Sequence, residues 1–278
     1  MAETTMDQQP HPLRPGFGPQ PAPPPDPAVF GVDELDGLVE FFAANGYAIL
    51  RGTYGADELS ELQADMVHWQ EQLVAGHLDP RHGTAILIDH DNAAPEAFAN
   101  YVTEVTLLSS AARQAATHPA LVEVMSRLMG GDIWLLEDDR FGVVYQDARP
   151  GSESGYSRIG WHSDWQSGPH LDMWPSVAFT VHLDATSPAN GFLRVLPGSH
   201  LYGTDGMPRG FEKVPGEIAV YAELGDVIFH DAHLWHSAAR ATDEGDRAIR
   251  RHIRGGWYAG ARLEAGHGVA DFVKNAAR

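Results

Sequence analysis

The chain has 278 residues, a formal net charge of −19 and no cysteine. That length buries a sizeable core and suits one domain of sandwich or barrel size. The negative charge argues against nucleic acid or an anionic membrane surface as partner. The missing cysteine excludes disulfides, thiolate metal sites and cysteine nucleophiles, so imidazole, from fifteen histidines, and carboxylate remain as strong metal ligands. The first ten residues, MAETTMDQQP, lack the apolar stretch of a secretory signal. No run of about 18 apolar residues suggests a membrane span, so a cytoplasmic protein is expected.

Residues 1–28 carry nine prolines between Pro10 and Pro27, too many for a helix or a central strand, and read as a disordered or polyproline-like tail. Residues 29–278 are expected to form a single domain. Its first part, to about residue 131, is helical. Asp33 is a plausible N-cap for a helix bearing Leu35, Leu38, Val39 and Phe42 at helical spacing, and Asn45-Gly46 stops it. Tyr47–Leu50 reads as a strand. A proline-free helix follows from Ala56 to about Gly76, with Leu59, Leu62, Met66, Trp69 and Leu73 on one stripe. A third helix runs from Pro119 to Met129, closed by Gly130-Gly131.

From about residue 132 to 258 the pattern changes to short β-rich runs separated by Gly, Pro, Asn and Asp. These include Arg140–Gln146, Val177–Leu183, Gly191–Leu196, Glu217–Tyr221, Asp226–Phe229 and Arg247–Ile253. Such a series predicts a β-sandwich or jelly roll with flanking helices.

His162-Ser163-Asp164 lies within that region. Residues i and i+2 of a strand project to the same side, so His162 and Asp164 are able to reach one metal while Ser163 points away. With one distant histidine this makes a two-histidine, one-carboxylate facial triad, the donor set of non-haem Fe(II) oxygenases. Three histidines compete for the distal place: His230, His233 and His236. If residues 234–237 are extended, His233 and His236 face opposite ways and at most one of them is a ligand. Periodicity does not choose further.

Several stretches resemble the phytanoyl-CoA dioxygenase family, which includes ectoine hydroxylase. They are Gly160-Trp161-His162-Ser163-Asp164, Asn190-Gly191-Phe192-Leu193 leading to Pro197-Gly198-Ser199-His200, and Gly225-Asp226 with His236 ten positions after the aspartate. Phe42, Gly46, Tyr47 and Leu50-Arg51-Gly52 resemble the family's opening helix and strand. The match spans nearly all of residues 32–258. It implies a double-stranded β-helix of jelly-roll, cupin-like type, with Fe(II) held by His162, Asp164 and His236. It also implies 2-oxoglutarate as cosubstrate, O2 as oxidant, and hydroxylation of a small molecule coupled to release of succinate and carbon dioxide. The family's 2-oxoglutarate arginine falls eleven residues after the distal histidine, at Arg247. A fixed guanidinium suits the distal carboxylate. Arg240, Arg250, Arg251 and Arg254 are its rivals from the residues alone. A hydroxyl assists that arginine, and Thr180 is the candidate. Related iron halogenases have a small residue where Asp164 stands, so the resemblance implies hydroxylation rather than chlorination.

A substrate pocket is expected around Phe141, Val143, Tyr145 and Asp147, which share one strand face, with Trp165, His170 and Trp174 as a wall and Trp257 ending the last strand. Residues 201–216, rich in turn signals, read as a mobile loop near the site. A non-catalytic jelly-roll binding protein is the alternative from a different class, and a zinc hydrolase is a third, since the same donors suit zinc.

Overall fold

The computed structural model describes residues 28–83, 86–89, 96–139, 142–150, 159–164, 177–202, 206–260 and 262. The proline-rich tail, apart from Ala28, therefore lies outside the described residues, as do Phe141, Trp165, His170 and Trp174. The described residues open with strand β1 (Val29–Gly31), helix α1 (Leu35–Asn45), strand β2 (Tyr47–Arg51) and helix α2 (Ala56–Val74). Helix α1 ends as its sequence predicts: Gly46 takes φ 79°, and its N–H returns to the carbonyl of Phe42 at 2.7 Å. Its start differs. Glu34 rather than Asp33 occupies the N-cap, and the Glu34 carboxylate accepts from the Gly31 N–H instead of capping the helix.

A hairpin, β3 (Ile86–Asp89) and β4 (Glu96–Ala99), leads through β5 (Tyr101–Val102) into α3 (Val105–Leu108), α4 (Ser110–Ala116) and α5 (Pro119–Met129). Proline at the first position suits the start of α5. The β-rich part comprises β6 (Ile133–Leu135), β7 (Val144–Ala148), β8 (Ile159–His162), β9 (Val177–His182) and β10 (Leu193–Val195). It continues with β11 (Ile218–Val220), β12 (Val227–Asp231), β13 (His236–Ala238) and β14 (Arg250–Ala259).

Among the described residues these strands form an eight-stranded sheet, β1-β2-β12-β9-β14-β7-β5 with β6 on β14, and a four-stranded sheet, β11-β10-β13-β8. The two sheets face each other as a jelly roll. Alternation along each strand of the large sheet separates its two faces. Val227, Phe229, Val177, Phe179, Val181, Ile253 and Tyr145 pack outward against α1, α2, α4 and α5 in the principal core. Ile49 and Ile228 turn the other way and meet Val195 and Val220 of the small sheet. Inward positions on the large sheet thus include Ile228 and His230 on β12, Ala178, Thr180 and His182 on β9, and Arg250, His252, Arg254 and Gly256 on β14. Gly255 lies on the outward face, where a Cβ would come within 2.9–3.0 Å of Phe179 and Val143, so the helix-side packing is dense at this point. No helix among the described residues is long and apolar enough to cross a membrane.

Phe179 is fully buried at the centre of this outward core. Phe179→Ala should therefore destabilise the domain by about 3–5 kcal/mol, measured as a lowered midpoint in thermal or denaturant unfolding. A midpoint near that of the parent protein would place the core elsewhere.

Candidate metal centre

His162 ends β8 and His236 begins β13, and the two are partners across the ladder of the small sheet. Their rings lie 4.1 Å apart. The His162 Nδ1–H donates to the Gly160 carbonyl at 2.8 Å, and the His236 Nδ1–H to the Leu234 carbonyl at 2.9 Å. Each backbone bond fixes the tautomer and leaves an Nε2 lone pair free. Both Nε2 atoms face Asp164 Oδ1, at 3.8 Å from His162 and 3.7 Å from His236. The three ligand atoms lie within 4.8 Å of one another, and this is the grouping among the described residues able to hold a metal ion. Burial, together with its imidazole neighbours, keeps His236 well below the ordinary histidine pKa, hence neutral and able to ligate.

Trp235 sets the approach to β13. It is fully buried, and its N–H donates to the Ser199 hydroxyl at 2.8 Å, so the residue before His236 cannot drift. His233 is directed elsewhere, its Nδ1 lying 3.4 Å from Asp231. Of the three histidines that spacing left open, His236 is the one grouped with His162 and Asp164. His230 takes a part that spacing did not indicate. Its Nε2 lies 3.1 Å from Asp164 Oδ2, the oxygen turned away from the other two rings. Burial works against charge on Asp164, but this bond and the three imidazoles hold its carboxyl well below the usual carboxylate range. His230 therefore positions the carboxylate. The signal available in the sequence was parity, since His230 and Ile228 share one face of β12.

Deeper between the sheets lies a buried basic cluster. Arg250, His182 and His252 are 5%, 5% and 7% exposed. Among the described residues Arg250 Nε and the Nδ1 atoms of both histidines have no hydrogen-bond partner. Burial pulls the Arg250 guanidinium down to about 10, burial and Arg250 bring His182 down to about 3, and burial with these neighbours holds His252 far below its ordinary value. Gly191, at φ 85°, leaves room beside this group; a Cβ there would come within 3.2 Å of the Arg250 guanidinium.

Arg247 is in a different setting. It lies in a 3-10 turn over Gly245–Ala248, its side chain 80% exposed and paired with Asp243 at 2.8 Å. The 3-10 turn before β14 carries Arg247 to the surface, and the inward, buried arginine at the start of β14 is Arg250, three residues on. Thr180 does face inward, half-buried and opposite Arg254.

Tyr145 and Trp257 belong to the helix-side core rather than the pocket, and Val143 packs there too. Asp147 binds Arg149 at 2.9 Å on that side. Alternation placed these residues on a common face but did not say which face was inward; the inward residues of β7 are Val144, Gln146 and Ala148. Residues 206–216, read as part of a mobile loop, are tied to the small sheet. The Trp161 N–H donates to Gly210 O, and the Trp161 indole and Arg194 both donate to Glu212 O, each at 2.8 Å.

Comparison with known proteins places the family and the fold. A family model described as phytanoyl-CoA dioxygenase matches residues 42–249. The ectoine dioxygenase of Nocardia farcinica is 27% identical over 183 residues, which are 63% of this chain and 54% of that protein. The chain thus spans about half the length of that relative. Crystal structures share the fold. The iron-bound EctD of S. alaskensis matches with a TM-score of 0.61 and 20% identity, over 80% of this chain and 75% of that one. The non-haem α-ketoglutarate-dependent epimerase SnoN from nogalamycin biosynthesis matches with a TM-score of 0.58 and 22% identity, over 82% and 84%. Because the matched segment runs from the first helix to the end of the turn before β14, taking in both histidine arms, this chain belongs to the phytanoyl-CoA dioxygenase family.

Proposed function

We propose that the protein is a non-haem Fe(II)- and 2-oxoglutarate-dependent dioxygenase that hydroxylates a small molecule in the cytoplasm. The observation that carries this reading is the convergence of two tautomer-fixed imidazoles and one carboxylate on a common point. The nitrogen, nitrogen, oxygen donor set fits Fe(II) and leaves the opposite coordination positions to exogenous ligands. When bound there, iron with 2-oxoglutarate and O2 supplies oxidation of a substrate C–H bond, coupled to conversion of 2-oxoglutarate into succinate and carbon dioxide.

The chain's own residues would act around that chemistry. His162, His236 and Asp164 hold the metal, and His230 fixes the second oxygen of Asp164. Arg250 receives the distal carboxylate of 2-oxoglutarate. A buried guanidinium with an unpartnered Nε is costly alone and is relieved by an anion. His182 and His252, kept neutral by burial, offer further hydrogen bonds to that carboxylate, and Thr180 lines the way from it to the metal. The walls between the sheets exclude water from the cosubstrate. A zinc hydrolase would use the same three ligands but gives the basic cluster of Arg250, His182 and His252 nothing to bind. Ectoine, the substrate class named for the Nocardia relative, is not carried over, because the match covers about half of that protein.

Anaerobic addition of Fe(II) and then 2-oxoglutarate to metal-free protein should give a saturable visible charge-transfer band. It should be absent in His162→Ala and His236→Ala and retained in His233→Ala. An iron-binding protein that gives no band would move the hydrolase or binding-protein reading ahead, and activity with Zn(II) in place of Fe(II) would choose the former. Arg250→Gln should raise the 2-oxoglutarate midpoint by about tenfold to a hundredfold, the loss expected for a charged hydrogen-bonded pair, while Arg247→Ala should leave it unchanged. The opposite ranking would put the anchor on the surface turn. His230→Ala should weaken iron binding by about tenfold to a hundredfold, as loss of an outer-sphere partner does. Unaltered affinity in a metal titration would remove His230 from its positioning role.

A further inference from the structure

One positive charge on the inward face of the large sheet has no counterpart in the proposed complex. On β14 Arg254 lies opposite Thr180 of β9 and Val144 of β7. The next inward row toward the triad holds Gly256, Ala178 and His230. A row advances by about 7 Å along a strand. In that row β14 and β9 present a hydrogen and a methyl, the smallest inward groups of these two strands among the described residues. Arg254 is exposed, whereas Arg250 and His252 on the same face are buried.

The Arg254 guanidinium carbon lies 5.4 Å from the centroid of the Tyr101 ring. No carboxylate pairs with it among the described residues. Scarcity of acids does not explain this, because the chain has 38 acidic residues to 19 basic ones. Arg149, Arg194 and Arg251 each hold a carboxylate. Fe(II) and Arg250 together balance Asp164 and the two carboxylates of 2-oxoglutarate, so neutrality is reached without Arg254.

We infer that Arg254, backed by Tyr101, binds the oxyanion group of the substrate, a carboxylate or a phosphate, and holds an anionic small molecule beside the metal. The inference rests on the Fe(II)/2-oxoglutarate reading above. The guanidinium is planar by delocalisation, and contact of its face with the ring leaves its in-plane N–H donors available to an oxyanion. The row of Gly256 and Ala178 takes the body of the molecule.

The test uses the anaerobic protein loaded with Fe(II) and 2-oxoglutarate, and reads occupancy as a shift of its visible band. Benzoate, phenyl phosphate and neutral benzamide are the probes. At least one of the two anions should shift the band saturably and benzamide should not; which anion responds distinguishes carboxylate from phosphate. In Arg254→Gln the anion midpoint should rise by about tenfold or more, with the 2-oxoglutarate midpoint unchanged. A response equal for benzamide, an anion response that survives Arg254→Gln, or no response to either anion overturns the inference. Loss of 2-oxoglutarate binding in Arg254→Gln, with Arg250→Gln unaffected, also overturns it by making Arg254 the cosubstrate anchor, and leaves the dioxygenase reading standing. A parent protein that shows no band removes that reading and this one together.

Discussion

The placement of His236 directly across from His162 in the β13–β8 ladder is the constraint from which the site follows. Cross-strand partners in an antiparallel pair are about 5 Å apart, which is the spacing two imidazoles need to share an ion. Because both Nδ1 atoms donate to carbonyls two residues earlier, neither ring is free to rotate its Nε2 away. Asp164, two residues past His162, then closes the group from the loop side, with its second oxygen held by His230 of the opposite sheet. The centre thus joins the two sheets at one end of the jelly roll. The ladder brings the distal histidine to the local His-x-Asp arm.

The large sheet supplies a graded environment beneath that centre. Successive inward rows pass from His230, Ala178 and Gly256 through Thr180 and Arg254 to His182 and His252, and then to Arg250. Small residues come first, then a solvated cation, then a buried and unpaired one. Low dielectric strengthens any interaction of a ligand with Arg250, while Arg254, still exposed, exchanges water for its partner at less cost. On the other face of the same strands Phe179, Val181, Phe229 and Ile253 pack against helices, so the rigid helix-backed sheet fixes the positions of the inward groups.

Much of the architecture was legible from residue patterns. The stripe on α2 and the Gly46 stop of α1 are local, set by helical periodicity and by the freedom of glycine at positive φ, and both were found within a residue or two. The strands β9, β10, β11 and β12 were found for a similar reason, being apolar runs bounded by turn residues. The short helices α3 and α4 were not anticipated: Val105–Leu108 is too brief for a periodic signal, and the alanine-rich Ser110–Ala116 has little amphipathic contrast.

The sequence alone determined the chemistry on offer: with no cysteine, a His-x-Asp arm and later histidines, the donors had to be imidazole and carboxylate. It determined parity as well, grouping Tyr145 with Val143, and Thr180 with His182. What parity lacks is a sign, because alternation is symmetric until one face is covered. Only packing of the helices made Tyr145 and Trp257 core and turned Gln146, Thr180 and Arg254 inward. Only the folded chain placed Arg247 on an exposed turn and Arg250 on the inward face of β14, since a count along the sequence does not tell where the turn ends and the strand begins. The selection of His236 over His233, and the recruitment of His230 to Asp164, likewise belong to tertiary structure, because they depend on distances between strands remote in sequence.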